Sequence, residues 1–228
     1  MSDAWHSFTA FQLFADHVPV GGSSLMLRLV PDVPSMAACL SQRAPNADPL
    51  DPEFTQMIIR AGLALAQIDG VTLVYASGHE CCVVVDGSRI SEVGQSLLLH
   101  DFMVSRFAAR LAILTGSEIA VTGSLYEFPS PEVVRRALAA SLQGVEAAAP
   151  WRAAFYVGTQ VLGRGGSFDP ASIQTEEGQQ GILRAAGVNL QALPAWWRRG
   201  LAARSNTEVV ELFDQLHDAE ALTALVEA

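Results

Sequence analysis

Two β-rich runs, Val71 to Ala76 and Glu80 to Val85, are separated by only Ser77-Gly78-His79. That spacing and turn chemistry predict an antiparallel hairpin, and its flanks narrow the fold further. Upstream, Asp51 stands as a helix N-cap with Pro52 at the first helical position. Apolar residues then recur at Phe54, Met57, Ile58, Ala61, Leu65 and Ile68, and Gly70 stops the run. Downstream, residues 93–114 carry Leu97, Leu98, Phe102, Val104, Phe107, Leu111 and Leu114 at helical spacing and end at Thr115-Gly116. A short apolar run, Ser24 to Val30 closed by Pro31, reads as a buried strand before the first helix. Glu118 to Phe128 reads as extended after the second. The order β-α-β-β-α-β is that of the ferredoxin-like, or split βαβ, arrangement: an antiparallel sheet with two helices on one face. From Ser130-Pro131-Glu132 onward the pattern is mainly helical, to about 160, over 172–186 and over 206–226. The predicted class is α+β, one domain over 1–228, with a palm-like core at about 24–128 and a helical completion at about 130–228.

Charge excludes several functions. The 228 residues hold 24 acidic and 14 basic side chains, a net charge of −10, which repels polyanions. Every basic residue is arginine, so no lysine exists for a Schiff base, a P-loop ammonium or a phosphate point charge. Cys39, Cys81 and Cys82 are too few and too close for a disulfide framework or a zinc set, and read as reduced and buried. No apolar run reaches the length of a membrane span, and Met1-Ser2-Asp3-Ala4-Trp5-His6 is too polar for a signal peptide, so a cytoplasmic location is expected.

A few residue groups carry chemistry on their own. Trp196, Trp197, Arg198 and Arg199 form a basic-aromatic cluster able to stack on and pair with a nucleotide or an RNA end; the plain alternative is an aromatic cap on the core with solvated arginines. Gly163-Arg164-Gly165-Gly166-Ser167 lacks the strand and helix of a phosphate loop and reads as a linker. Arg135-Arg136 sits early in a helix, against the dipole. His100 and Asp101 read as surface positions, since neighbours on a helix point about 100° apart. Common hydrolase signatures are absent.

Several stretches, in order, resemble the tRNA-His guanylyltransferase family, palm-fold enzymes that add nucleotides in the 3′ to 5′ direction. The sharpest is Gly187-Val188-Asn189-Leu190-Gln191-Ala192-Leu193-Pro194-Ala195-Trp196-Trp197-Arg198-Arg199-Gly200, similar to the family's Gly-Ile-Asn, Leu-Pro-Ala-Trp and basic-basic-Gly run. Weaker matches are Leu27-Arg28-Leu29, Asp51-Pro52-Glu53-Phe54, the Tyr75 to Glu80 hairpin and Tyr126-Glu127-Phe128-Pro129-Ser130. The resemblance implies two magnesium ions and a nucleoside triphosphate, yet its functional stations are degraded. Val30-Pro31 stands where the family has the metal aspartate and a glycine, and His79 stands for the second metal carboxylate, with Glu80 in register with a glutamate. Gln179-Gln180-Gly181 replaces a triphosphate-binding Lys-Asn-Glu, and only Ser141 or Gln143 answers an Arg-Gln-x-Asp run.

Paired Mg²⁺ ions need hard carboxylate oxygens, which valine does not supply, and a histidine favours later transition metals. Two readings follow from the resemblance. In the first, the chain is a nucleotide-binding or regulatory subunit, with Arg28, Ser77, Trp196, Arg198 and Arg199 toward the nucleotide, beside an active paralogue or other protein partner. In the second, Asp32, His79 and Glu80 hold one divalent metal, Mg²⁺ or a transition metal, for an altered transferase. The resemblance also implies a homo-oligomer, dimer or tetramer, while the net charge and missing lysine predict no useful tRNA binding by the chain alone.

Overall fold

The computed structural model of the chain describes residues 4–13, 18–43, 48–89, 95–205 and 210–213. The chain builds β1 (Ser24–Pro31), α1 (Val33–Arg43), α2 (Pro52–Leu63), β2 (Val71–Ala76), β3 (Cys81–Asp86), α3 (Gln95–Thr115) and β4 (Val121–Phe128). It continues through α4 (Pro131–Ala147), α5 (Ala149–Gly163), α6 (Glu176–Ala185), α7 (Ala195–Arg199), β5 (Leu201–Ser205) and β6 (Val210–Phe213). The strands form one six-stranded sheet in the order β4-β1-β3-β2-β5-β6, antiparallel at every pairing. The first four strands have the order that β-α-β-β-α-β connectivity produces in a ferredoxin-like sheet.

Alternation along β1 divides the core in two, because successive side chains point to opposite faces. Leu25, Leu27 and Leu29 face a cluster holding Phe54 and Ile58 of α2, Phe107 and Leu111 of α3, and Tyr156 of α5. Met26 faces the other side, with Tyr75, Cys82, Tyr126 and Phe128 of the sheet and Val134 and Leu138 of α4. The expected one-sided helical layer is therefore joined by α4 on the opposite face, since β2, β3 and β4 offer buried apolar residues on both sides.

Three local expectations change. Asp32-Val33-Pro34-Ser35 starts a helix, α1, where no element is evident from periodicity. The helix entered at Asp51 tightens into a 3₁₀ turn over Ala64–Gln67. Of the segment expected helical over 206–226, residues 210–213 form a strand on β5, and the remainder lies outside the described residues. β5 itself pairs with the free edge of β2, Val74 opposite Ala203 and Ala76 opposite Leu201. The turn from α7 into β5 requires glycine: Gly200 has φ 84°, and a Cβ there would lie 2.5 Å from the Ala76 carbonyl oxygen. Among the described residues, no helix is long and apolar enough to cross a membrane.

Candidate functional site

The β2–β3 turn is closed by Ser77. Its amide donates to the Glu80 carbonyl at 2.8 Å, and its hydroxyl accepts from the Glu80 amide at 3.1 Å. Immediately after this turn Glu80 points to the α4 face and is 2 % exposed. One carboxylate oxygen accepts from Arg28 Nε at 2.9 Å, and the other accepts from the Ser141 hydroxyl of α4. Cys82 Sγ lies 3.6 Å from the same hydroxyl. Arg28 reaches Glu80 because β1 pairs with β3, Arg28 opposite Cys82. Burial raises the Cys82 thiol far above its ordinary range, with the Glu80 charge adding to the effect, so it is a neutral packing group and not a nucleophile.

On the other side of the hairpin tip, His79 Nδ1 lies 3.1 Å from Arg152 Nη1 of α5. Burial first, then the charges of Arg152 and Arg28, lower the His79 pKa well below the ordinary histidine range. The ring is therefore neutral and accepts from Arg152. Arg152 is 1 % exposed and donates through Nη2 to the Trp197 carbonyl of α7, while its guanidinium stacks 4.4 Å from the Trp197 ring centroid. Tyr156, one helical turn along α5, donates to the Gly78 carbonyl at 3.4 Å. The tip of the hairpin is thus gripped by α5, with α7 behind it.

Around this tip the fold gathers Arg28, Ser77, His79, Glu80 and the Trp196 to Arg199 helix. Trp196 packs on the core edge, Arg198 is half-buried, and Arg199 is held by Glu146 at 2.9 Å while its carbonyl accepts from Tyr75 at 2.5 Å. Arg152 is the site residue that motifs and spacing do not reveal. Its only signal in the sequence is a lone charge in the apolar run of α5. Arg135 is paired with Glu132, and His100 and Asp101 bond each other at 2.9 Å despite their angular separation.

A bacterial tRNA(His) guanylyltransferase-like protein in complex with ATP superposes on this chain with a TM-score of 0.66 at 12% identity, covering 93% of this chain and 94% of that one. The GTP complex of a bacterial tRNA(His) guanylyltransferase-like protein gives 0.57 at 12% identity, covering 94% of each chain. The Saccharomyces cerevisiae tRNA(His) guanylyltransferase gives 0.57 at 12% identity, covering 92% of this chain and 96% of that one. The chain has the tRNA(His) guanylyltransferase fold. No protein-family model matches the sequence, and no curated protein shows significant similarity to it.

The guanylyltransferase fold raises the question of metal, and the residues present do not fit it. The Val30 side chain offers no oxygen ligand, and its carbonyl accepts from the Thr122 hydroxyl at 3.3 Å. Glu80 is bonded on both oxygens, and the His79 nitrogen facing inward accepts from a cation. Asp32 caps α1, accepting from the Ser35 amide at 2.9 Å, with its carbonyl accepting from the Met36 amide. Asp32, His79 and Glu80 are thus each engaged with other partners, and among the described residues no group of three His, Cys, Asp or Glu side chains gathers to hold an ion. Two arginines crowd the position instead, and a divalent cation there would be repelled.

Proposed function

We propose that this chain is a diverged tRNA-His guanylyltransferase-like protein that binds a nucleotide without two-metal 3′ to 5′ nucleotide addition, as a binding or regulatory subunit. The observation that carries the reading is the reversal of charge at the hairpin tip. Where that chemistry calls for carboxylates aimed at metal ions, the Glu80 charge is balanced by Arg28 and its other oxygen accepts from Ser141, and His79 is neutral beside Arg152. Such a site disfavours Mg²⁺ and suits the phosphates of a nucleotide directly. Solved proteins of this fold hold ATP and GTP, which supports a nucleoside triphosphate as the ligand class.

The test has two arms on the purified chain. Thermal unfolding with each of the four ribonucleoside triphosphates should show stabilisation that persists in EDTA, because a ligand at 100 times its Kd adds about 2.7 kcal/mol to the folded state. Pyrophosphate release with Mg²⁺, Mn²⁺, Co²⁺ or Zn²⁺ should stay at background. Turnover that is lost in Glu80→Ala would show a live transferase and overturn the reading.

A further inference from the structure

Buried N–H groups are almost always met by an acceptor, so a cluster of unmet ones marks where an acceptor belongs. Three belong to adjoining residues where α5 meets α7: Arg152 Nε, Trp197 Nε1 and Arg198 Nε are buried without a hydrogen-bond partner among the described residues. They are neighbours, since Arg152 Nη2 bonds the carbonyls of both Trp197 and Arg198 and its guanidinium lies against the Trp197 ring. Arg152 and Trp197 are each 1 % exposed. No carboxylate bonds Arg152 among the described residues; its partners are two carbonyls and a neutral imidazole. The flank of Arg152 Nε lies against Gly78, where a Cβ would stand in contact with it at 3.4 Å, so the glycine keeps side-chain bulk off this donor. A buried cation with a free donor, beside two further donors, lacks both a negative charge and acceptor atoms. One oxyanion supplies both.

We infer that the α5–α7 junction is a metal-independent oxyanion site, in which Arg152 Nε, Trp197 Nε1 and Arg198 Nε donate to a phosphate-type group. The choice of phosphate over another oxyanion rests on the nucleotide reading above; the site itself does not. Arg198, half-buried on α7, forms its open side, and Arg152 and Trp197 form its floor.

The probes are inorganic pyrophosphate, GTP and guanosine, each titrated calorimetrically into the full chain in EDTA. Pyrophosphate should bind without a divalent cation. Trp197→Phe, which keeps a ring beneath Arg152 and removes the indole N–H, should weaken pyrophosphate about tenfold, and Arg198→Gln should do likewise, as expected for a lost donor to a charged group. Arg152→Gln also removes the carbonyl bonds that hold α7, so the site stands or falls on the other two variants, with unchanged circular dichroism as their folding control. No response of the parent chain to pyrophosphate would mean that water alone meets the donors, and would overturn the site. So would pyrophosphate binding that both variants leave intact. GTP binding unaffected by either variant would leave the nucleotide reading standing and this site refuted. Pyrophosphate binding lost in both variants, with GTP no better than pyrophosphate and guanosine inert, would leave the site standing and refute a nucleotide-specific pocket.

Discussion

Protonating His79 would place a third positive charge beside Arg152 and Arg28, which adds to burial in holding its pKa well below the ordinary value in the folded chain. The unfolded chain has no such penalty and takes up the proton near pH 6.5. Below that pH the unfolded state binds more protons, so stability is complete above it and declines as pH falls toward the depressed folded value. For this one group the loss at pH 5.5 is about 1 kcal/mol. His79→Gln, which keeps an acceptor for Arg152, should flatten the pH dependence of the urea midpoint between about pH 7.5 and 5.5; an unchanged slope would place the effect elsewhere. Single residues also set the limit of what sequence can tell. The chemistry of Val30 and His79 is readable without coordinates, because a missing carboxylate is a matter of identity. The partner of His79 is not, because Arg152 lies 73 positions away and meets it only through packing of α5 on the hairpin.

At the scale of elements, α2 depends on one unusual residue. Asp51 is the only non-glycine among the described residues with a positive φ, 39°, and it is fully buried. It accepts from the Phe54 amide at 3.0 Å and from Arg43 Nε at 2.8 Å, joining the end of α1 to the start of α2. Asp51→Ala removes the cap, about 1 kcal/mol, breaks a charge-assisted bond of about 1.5 kcal/mol, and puts a less tolerant residue at positive φ. A total of about 3 kcal/mol is expected by urea unfolding, while Asp51→Asn, which keeps the cap and the backbone conformation, should cost roughly half. The cap, Pro52 and the apolar spacing make α2 legible, as loop length makes the hairpin legible. The α1 helix is harder to see although Asp32, Pro34 and Ser35 are start signals, because its short apolar stripe, Met36, Cys39 and Leu40, carries little periodicity. β5 and β6 are illegible for a different reason. Strand structure at 201–205 comes from the open edge of β2, a tertiary cause with no local signature.

For the whole molecule, charge decides the nucleic-acid question. The chain carries −10 overall, and several of its arginines are already engaged: Arg28 with Glu80, Arg43 with Asp51 and Glu53, Arg135 with Glu132, Arg199 with Glu146. Each such pairing lowers what that arginine contributes to counterion release from a tRNA body. Labelled tRNA titrated at about 50 and 200 mM salt should show no sub-micromolar binding at either concentration; tight binding that weakens steeply with salt would reveal a basic groove assembled from several copies. The sheet has a further consequence, for how the chain is made. β1 must wait for β4, whose residue Leu125 pairs with Leu27, and the exposed edge of β2 must wait for Ala203 to cover Val74. During synthesis the finished β2–β3 hairpin, rich in valine and carrying two cysteines, stands with one edge bare until the ribosome has passed Ala203. That interval, not the mature surface, is where self-association through strand pairing threatens most, and slower translation or higher expression temperature should send more of this chain into aggregates.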